Sequence, residues 1–120
     1  MRRINVSLIM VAFLLTLGGI CLGHEIIPWD IADAYYGQFV TVEGTIVATS
    51  NSDKACFLNF HSNGERYFTA VIFLRDLAKF PSNPEEYYNG EKVHVTGFVQ
   101  RYDGKPAIVL ENPSQIEILK

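Results

Sequence analysis

The chain has 120 residues, with 10 Lys+Arg against 13 Asp+Glu and a formal net charge of −3. That length allows one domain around one modest core. That charge balance excludes the strongly basic footprint by which many nucleic-acid binders hold phosphate.

Residues 1–23 read as a secretory leader. Arg2 and Arg3 form a short basic start, residues 6–22 are an uncharged apolar run, and Cys21-Leu22-Gly23 places small residues at the −3 and −1 positions before His24. The run is also long enough to span a bilayer, so an uncleaved anchor is the alternative. Lipoprotein processing at Cys21 is disfavoured by Ile20, where a small residue is usual. The expectation is an exported protein, periplasmic or secreted, with a leader over 1–23, a domain over 24–120 and no membrane contact after cleavage. Cleavage leaves 97 residues, with 8 Lys+Arg against 13 acids and a net charge of −5. Cys56 is then the lone cysteine, so no intrachain disulfide forms. Its apolar setting between Ala55 and Phe57 predicts burial.

Residues 28–36 suit a short helix or lead-in, with Trp29 packed as a plug over one end of the fold. Residues 37–49 read as one long strand, with Val40, Val42 and Ile46 on one face and Thr41, Glu43 and Thr45 on the other. Gly44 interrupts the pattern and is expected to mark a bend. Ser50-Asn51-Ser52-Asp53 is a turn by composition. A second strand over 54–61 sets Cys56, Leu58 and Phe60 against Phe57, Asn59 and His61. After Ser62-Asn63-Gly64 a third strand covers 66–73; both of its faces are apolar, so the pattern does not choose the inward one. Residues 74–80 suit a helical turn or two, stopped by Pro81. Asn83-Pro84-Glu85-Glu86 is a helix start with Asn83 as N-cap, and Gly90 is a C-terminal cap. The fourth strand, over 91–102, opens with Gly90-Glu91-Lys92-Val93-His94-Val95-Thr96-Gly97-Phe98-Val99, a second copy of the G-x-x-V-x-V-x-G-x-[IV] pattern begun at Gly37. Asp103-Gly104 predicts a type I′ hairpin turn into a fifth strand over 105–111. Asn112-Pro113-Ser114 breaks it before a last short strand over 115–119.

Three strands, a helical insertion and two further strands is the order of an OB-fold. The expected fold class is therefore all-β, a five-stranded Greek-key barrel with a helical insertion between strands three and four. The two patterned segments are expected to be neighbouring strands. Val40-Thr41-Val42-Glu43-Gly44, Phe57-Leu58-Asn59-Phe60, Phe68-Thr69-Ala70-Val71-Ile72-Phe73, the run from Tyr102-Asp103-Gly104-Lys105 to Leu110 and Pro113-Ser114-Gln115-Ile116 resemble the bacterial OB-fold nucleic-acid-binding modules. These occur as small exported proteins and as domains beside secreted nucleases. The resemblance covers nearly all of 24–120 and implies single-stranded nucleic acid as ligand and a secreted nuclease as a candidate protein partner.

Nothing in the sequence points to catalysis. His24, His61 and His94 have no partners at metal-ligand spacing, and no nucleophile elbow, phosphate loop or zinc-protease motif is present. A non-enzymatic module without cofactor or metal is expected. OB-folds bind oligomers across their second and third strands. The candidate residues there are Phe57, Asn59, His61, Arg66, Tyr67, Phe98, Tyr102 and Lys105, the rings to stack bases and the cations to meet phosphate, with Lys54 and Arg101 flanking them. The alternative is a protein- or oligosaccharide-binding module using the same face, because Tyr and Phe also favour strands for packing alone.

Overall fold

A computed structural model describes residues 24–120; the leader expected over 1–23 lies outside the described residues. The domain is mostly β, with two hydrogen-bonded sheets and few helices. Its strands are Ile26–Pro28 (β1), Phe39–Thr45 (β2), Ala48–Asn51 (β3), Ala55–Asn59 (β4), Thr69–Phe73 (β5), Lys92–Phe98 (β6), Gln100–Tyr102 (β7), Lys105–Val109 (β8) and Ile116–Ile118 (β9). One sheet has the order β9-β6-β2-β1 and the other β3-β4-β5-β8-β7.

The two copies of the glycine–valine pattern pair with each other. β2 and β6 run antiparallel with Val42 opposite Val95, so Val40 faces Gly97 and Gly44 faces Val93. The leading glycine of each copy, Gly37 and Gly90, has positive φ (82° and 85°), which a side chain resists. The second glycine of each copy points inward. A Cβ at Gly44 would fall 2.6 Å from Trp29 Cδ1 and 2.7 Å from Phe60 Cδ2, and one at Gly97 would fall 2.7 Å from Ile108 Cγ2. The pattern is therefore a packing rule as much as a strand signal.

Gly44 is not where the first strand bends. The corner lies two residues later, at Ile46-Val47, between β2 and β3. Both corner residues keep their backbone hydrogen bonds: Ile46 N donates to the Glu91 carbonyl, and Val47 N donates to the Asn59 carbonyl of β4. A second corner at Val99 divides the other long strand into β6 and β7, and there Val99 N donates to the Gln38 carbonyl. Ile46 and Val99 are fully buried. The five expected main strands and the expected short last strand (β9) thus appear as nine, because each of the two long strands gives one part to each sheet and one unexpected short strand, β1, adds to an edge of the first sheet.

β1 pairs parallel with β2 and was not legible in the sequence. The lead-in after it is a 3-10 helix, Trp29–Ala34, and Trp29 packs on the core as expected of a plug. β4 and β5 pair antiparallel, β5 and β8 pair parallel, and β7 and β8 form the hairpin, with Asp103 (φ 51°) and Gly104 (φ 78°) in its turn. β5 begins at Thr69, so Arg66 and Tyr67 lie in the preceding loop and not in the strand expected over 66–73. The inward face of β5 is Ala70 and Ile72, which join Leu58, Phe60, Phe68, Val42, Val95 and Ile108 in the main core.

Between β5 and β6 come a 3-10 helix, Leu74–Lys79, and a single helical turn, Pro84–Tyr87 (α1). Asn83 does not cap α1 with its side chain. It sits at φ 55°, and its backbone carbonyl accepts from Glu86 N and Tyr87 N. The break at 112–114 is a short 3-10 helix, Pro113–Gln115, closed by a capping box between Asn112 and Gln115.

Candidate nucleic-acid interface

The outward face of the β3-β4-β5-β8-β7 sheet carries a small apolar cluster of its own. Ala55, Val71 and Ala107 form its buried centre, and Phe57, Phe73 and Tyr102 pack around them. The strand period explains this face: with Cys56 and Leu58 turned into the core, Phe57 must turn out, and β5 presents Val71 directly opposite it. The Phe57 and Tyr102 ring centroids are 6.0 Å apart, as are those of Phe73 and Tyr102.

The structure distributes the predicted site residues over three places. Phe57, Asn59 and Lys105 line a hollow of about 430 Å³ beside this cluster, with Ser50, Gly64 and Asp103 on its rim. Arg66 and Tyr67 line a second hollow of about 450 Å³, where they meet Trp29, Tyr36 and Arg101. His61 stands at its edge, 4.1 Å from the Tyr67 ring centroid. The loop over 60–68 and the β7–β8 hairpin form the wall between the hollows, since Asp103 lines one and Gly104 the other. Phe98 is in neither. It lies on the outer face of the other sheet, opposite Phe39 in the β2–β6 register, with the ring centroids 5.0 Å apart.

Two of the predicted residues are buried. Asn59 is 6% exposed, its amide lies under Gly64, and its Oδ1 has no hydrogen-bond partner. Lys105 is 9% exposed; its ammonium donates to the Gly64 carbonyl and lies 5.6 Å from the Phe57 ring centroid. Burial lowers the Lys105 pKa, against the opposing pull of Asp103 and Glu65. The physical role of Lys105 is to tie the 60–68 loop to β8, which corrects the expectation of a free phosphate contact. The exposed cations nearest the two hollows are Arg66 and Arg101, both of which line the second one, together with Lys54 just before β4. Arg66 lies over Tyr67 at 5.5 Å and Arg101 over Tyr36 at 4.5 Å.

No protein-family model and no curated protein matches the sequence. Solved structures do. An aspartyl-tRNA synthetase from Leishmania major Friedlin matches over 82% of this chain with a TM-score of 0.53 at 12% identity. An asparaginyl-tRNA synthetase from Pyrococcus horikoshii matches over 72% with a TM-score of 0.48 at 19% identity. The chain spans about a fifth of the length of each, 21% in both cases. The likeness to the aspartyl-tRNA synthetase is one of fold.

Trp29, Tyr36 and Phe73 are the residues near the site that sequence reasoning left outside it, and Arg101 was expected only as a flanking cation. Tyr36 and Arg101 are 65 positions apart in the numbering, and only the fold brings the guanidinium over the ring. Phe73 carried a signal: it shares its strand face with Val71, two residues away. Among the described residues no three His, Cys, Asp or Glu side chains gather as a metal site, and no helix is long and apolar enough to cross a membrane.

Proposed function

We propose that this protein is an exported OB-fold module that binds single-stranded nucleic acid weakly, and without strong sequence preference, on the outward face of β4, β5, β7 and β8. The observation that carries the reading is the pairing of Phe57 and Tyr102 over a buried apolar cluster on that face, with two exposed arginines, Arg66 and Arg101, in the neighbouring hollow across the loop-and-hairpin wall. Rings held this way offer π-faces to unstacked bases, and arginines beside them meet phosphate. The fold likeness to an aspartyl-tRNA synthetase, an enzyme whose name specifies an RNA substrate, supports the same ligand class. We read the two sheets as one five-stranded barrel in which β2 runs on into β3 and β6 into β7. The parallel β5–β8 pair and the insertion over 74–89 support that reading. The basic start and apolar run of residues 1–23 support export, and a secreted nuclease is the protein partner we propose for such a module. The module binds and does not catalyse.

Fluorescence titration of a labelled short oligonucleotide tests this. Phe57→Ala is expected to cost on the order of 1–3 kcal/mol of binding if the ring stacks a base. Arg66→Ala is expected to weaken all sequences alike and to flatten the salt slope by about one unit. Both variants must keep the wild-type circular dichroism spectrum. Absence of wild-type binding at low salt would overturn the reading in favour of a protein- or oligosaccharide-binding module, whose apolar contacts do not fall steeply with salt.

A further inference from the structure

The hollow lined by Arg66 and Tyr67 has a composition that phosphate binding and stacking alone do not explain. Two carboxylates, Asp30 and Asp33, line it as well, both exposed on the 3-10 helix Trp29–Ala34. Among the described residues neither aspartate forms an ion pair with Arg66, with Arg101 or with any other cation. Groups of opposite charge sharing one hollow of about 450 Å³ are thus left unsatisfied by each other. That volume falls within the roughly 300–1,000 Å³ of small-ligand sites.

The rings in the hollow are fixed before any ligand arrives. Tyr67 is backed by His61 at 4.1 Å and meets Trp29 edge-on at 6.0 Å and 85°. Tyr36 sits under Arg101. Buried Phe68 and Pro106 form the floor. A ligand that satisfies all of this has an anionic part for the arginines, a flat π-body for the rings and hydrogen-bond donors for the carboxylates. A nucleotide has all three when its base carries an exocyclic amine. Ionised carboxylates only accept hydrogen bonds, so they accept from the projecting cytosine N4 amine, whereas the one donor on the uracil pairing edge, N3–H, lies between two carbonyl oxygens that face a carboxylate with like partial charge.

Resting on the binding role above, we propose that this hollow is a base-selective subsite that takes one unstacked nucleotide and prefers an amino-bearing base, cytosine above all, to uracil or thymine. It lies just across the loop-and-hairpin wall from Phe57, so one strand can occupy both hollows. Binding on the outer sheet face is then tolerant of sequence, while this end selects.

The probes are short labelled oligodeoxycytidylate and oligodeoxyuridylate at neutral pH; the two pyrimidines are alike in size and differ at the 4-position and N3. Wild type is expected to bind the cytidine oligomer about 5- to 150-fold more tightly, the ratio equivalent to the 1–3 kcal/mol that one well-formed base contact discriminates. The double variant Asp30→Asn, Asp33→Asn should lose that ratio while binding uridine at least as well, because an amide both donates and accepts. Arg101→Ala should weaken both oligomers by a similar factor. Equal wild-type affinity for the two, or a preference that survives the double asparagine variant, overturns the subsite and leaves the general binding role standing. Failure of both oligomers to bind at low salt overturns both. Asp30 and Asp33 are exposed, so their isosteric substitution should leave the fold intact, and circular dichroism checks that.

Discussion

Cys56 and Phe57 are adjacent, yet the strand period sends one into the core and the other to the outer face. The burial of Cys56 was legible from its apolar neighbours, and it is 1% exposed. Burial pushes its thiol up to about 11, with the Glu85 carboxylate adding to the effect. Well below pH 9 the thiol is neutral in folded and unfolded chains alike. Between about pH 9 and 11 the unfolded chain ionises first, so the folded state binds more protons and stability falls as pH rises. Burial raises the Tyr88 hydroxyl and acts in the same sense, whereas the lowered Lys105 pKa acts in the opposite one. Comparing wild type with Cys56→Ala isolates the thiol. Urea unfolding should show wild type losing on the order of 2 kcal/mol more than the variant across that window. A native thiol that titrates near 9 by ultraviolet absorbance would contradict it. Lys105 shows the opposite side of legibility. Its charge suggested a phosphate contact, but its partner, the Gly64 carbonyl, lies 41 residues away, and no local pattern announces such a tie.

Elements were most legible where side chains alternate and least where the chain turns a corner without a turn residue. The β2–β6 pairing, the Asp103-Gly104 hairpin and the presence of short helical segments between β5 and β6 followed from period and turn chemistry. The corner at Ile46-Val47 did not, because both residues are β-branched and read as continuing strand; what bends the chain is the competing demand of Glu91 on one side and Asn59 on the other. β1 escaped notice because three residues with alternating exposure are too few to show a period. At this scale Gly44 takes its meaning from packing. Gly44→Val would push a branched side chain into the Trp29 and Phe60 rings. The expected loss is about 1–3 kcal/mol, as for overpacked cores. A thermal midpoint within a degree or so of wild type would show that the rings move aside freely.

At the scale of the molecule, charge and surface pull in different directions. Without residues 1–23 the chain carries five more acids than Lys+Arg, and Asp30, Asp33, Glu65 and Asp103 all line the two hollows. Long-range attraction for a polyanion is therefore poor, and the proposed binding rests on rings and on arginines in contact. That predicts weak, short-footprint binding. The other sheet offers a rival surface, since Ile26, Phe39 and Phe98 are 55%, 43% and 58% exposed on its outer side. The candidate site was legible only in outline: the sequence indicated the second and third strands, but the ring cluster with Phe73 and the hollow under Trp29 need contacts between distant segments. The most direct test is to titrate unlabelled oligodeoxycytidylate into isotope-labelled protein at low salt and follow backbone amide shifts. The expected shifts fall on Phe57, Val71, Tyr102, Arg66 and Tyr67, with Phe39 and Phe98 unmoved. Shifts centred on Ile26, Phe39 and Phe98, or none at all, would contradict the account.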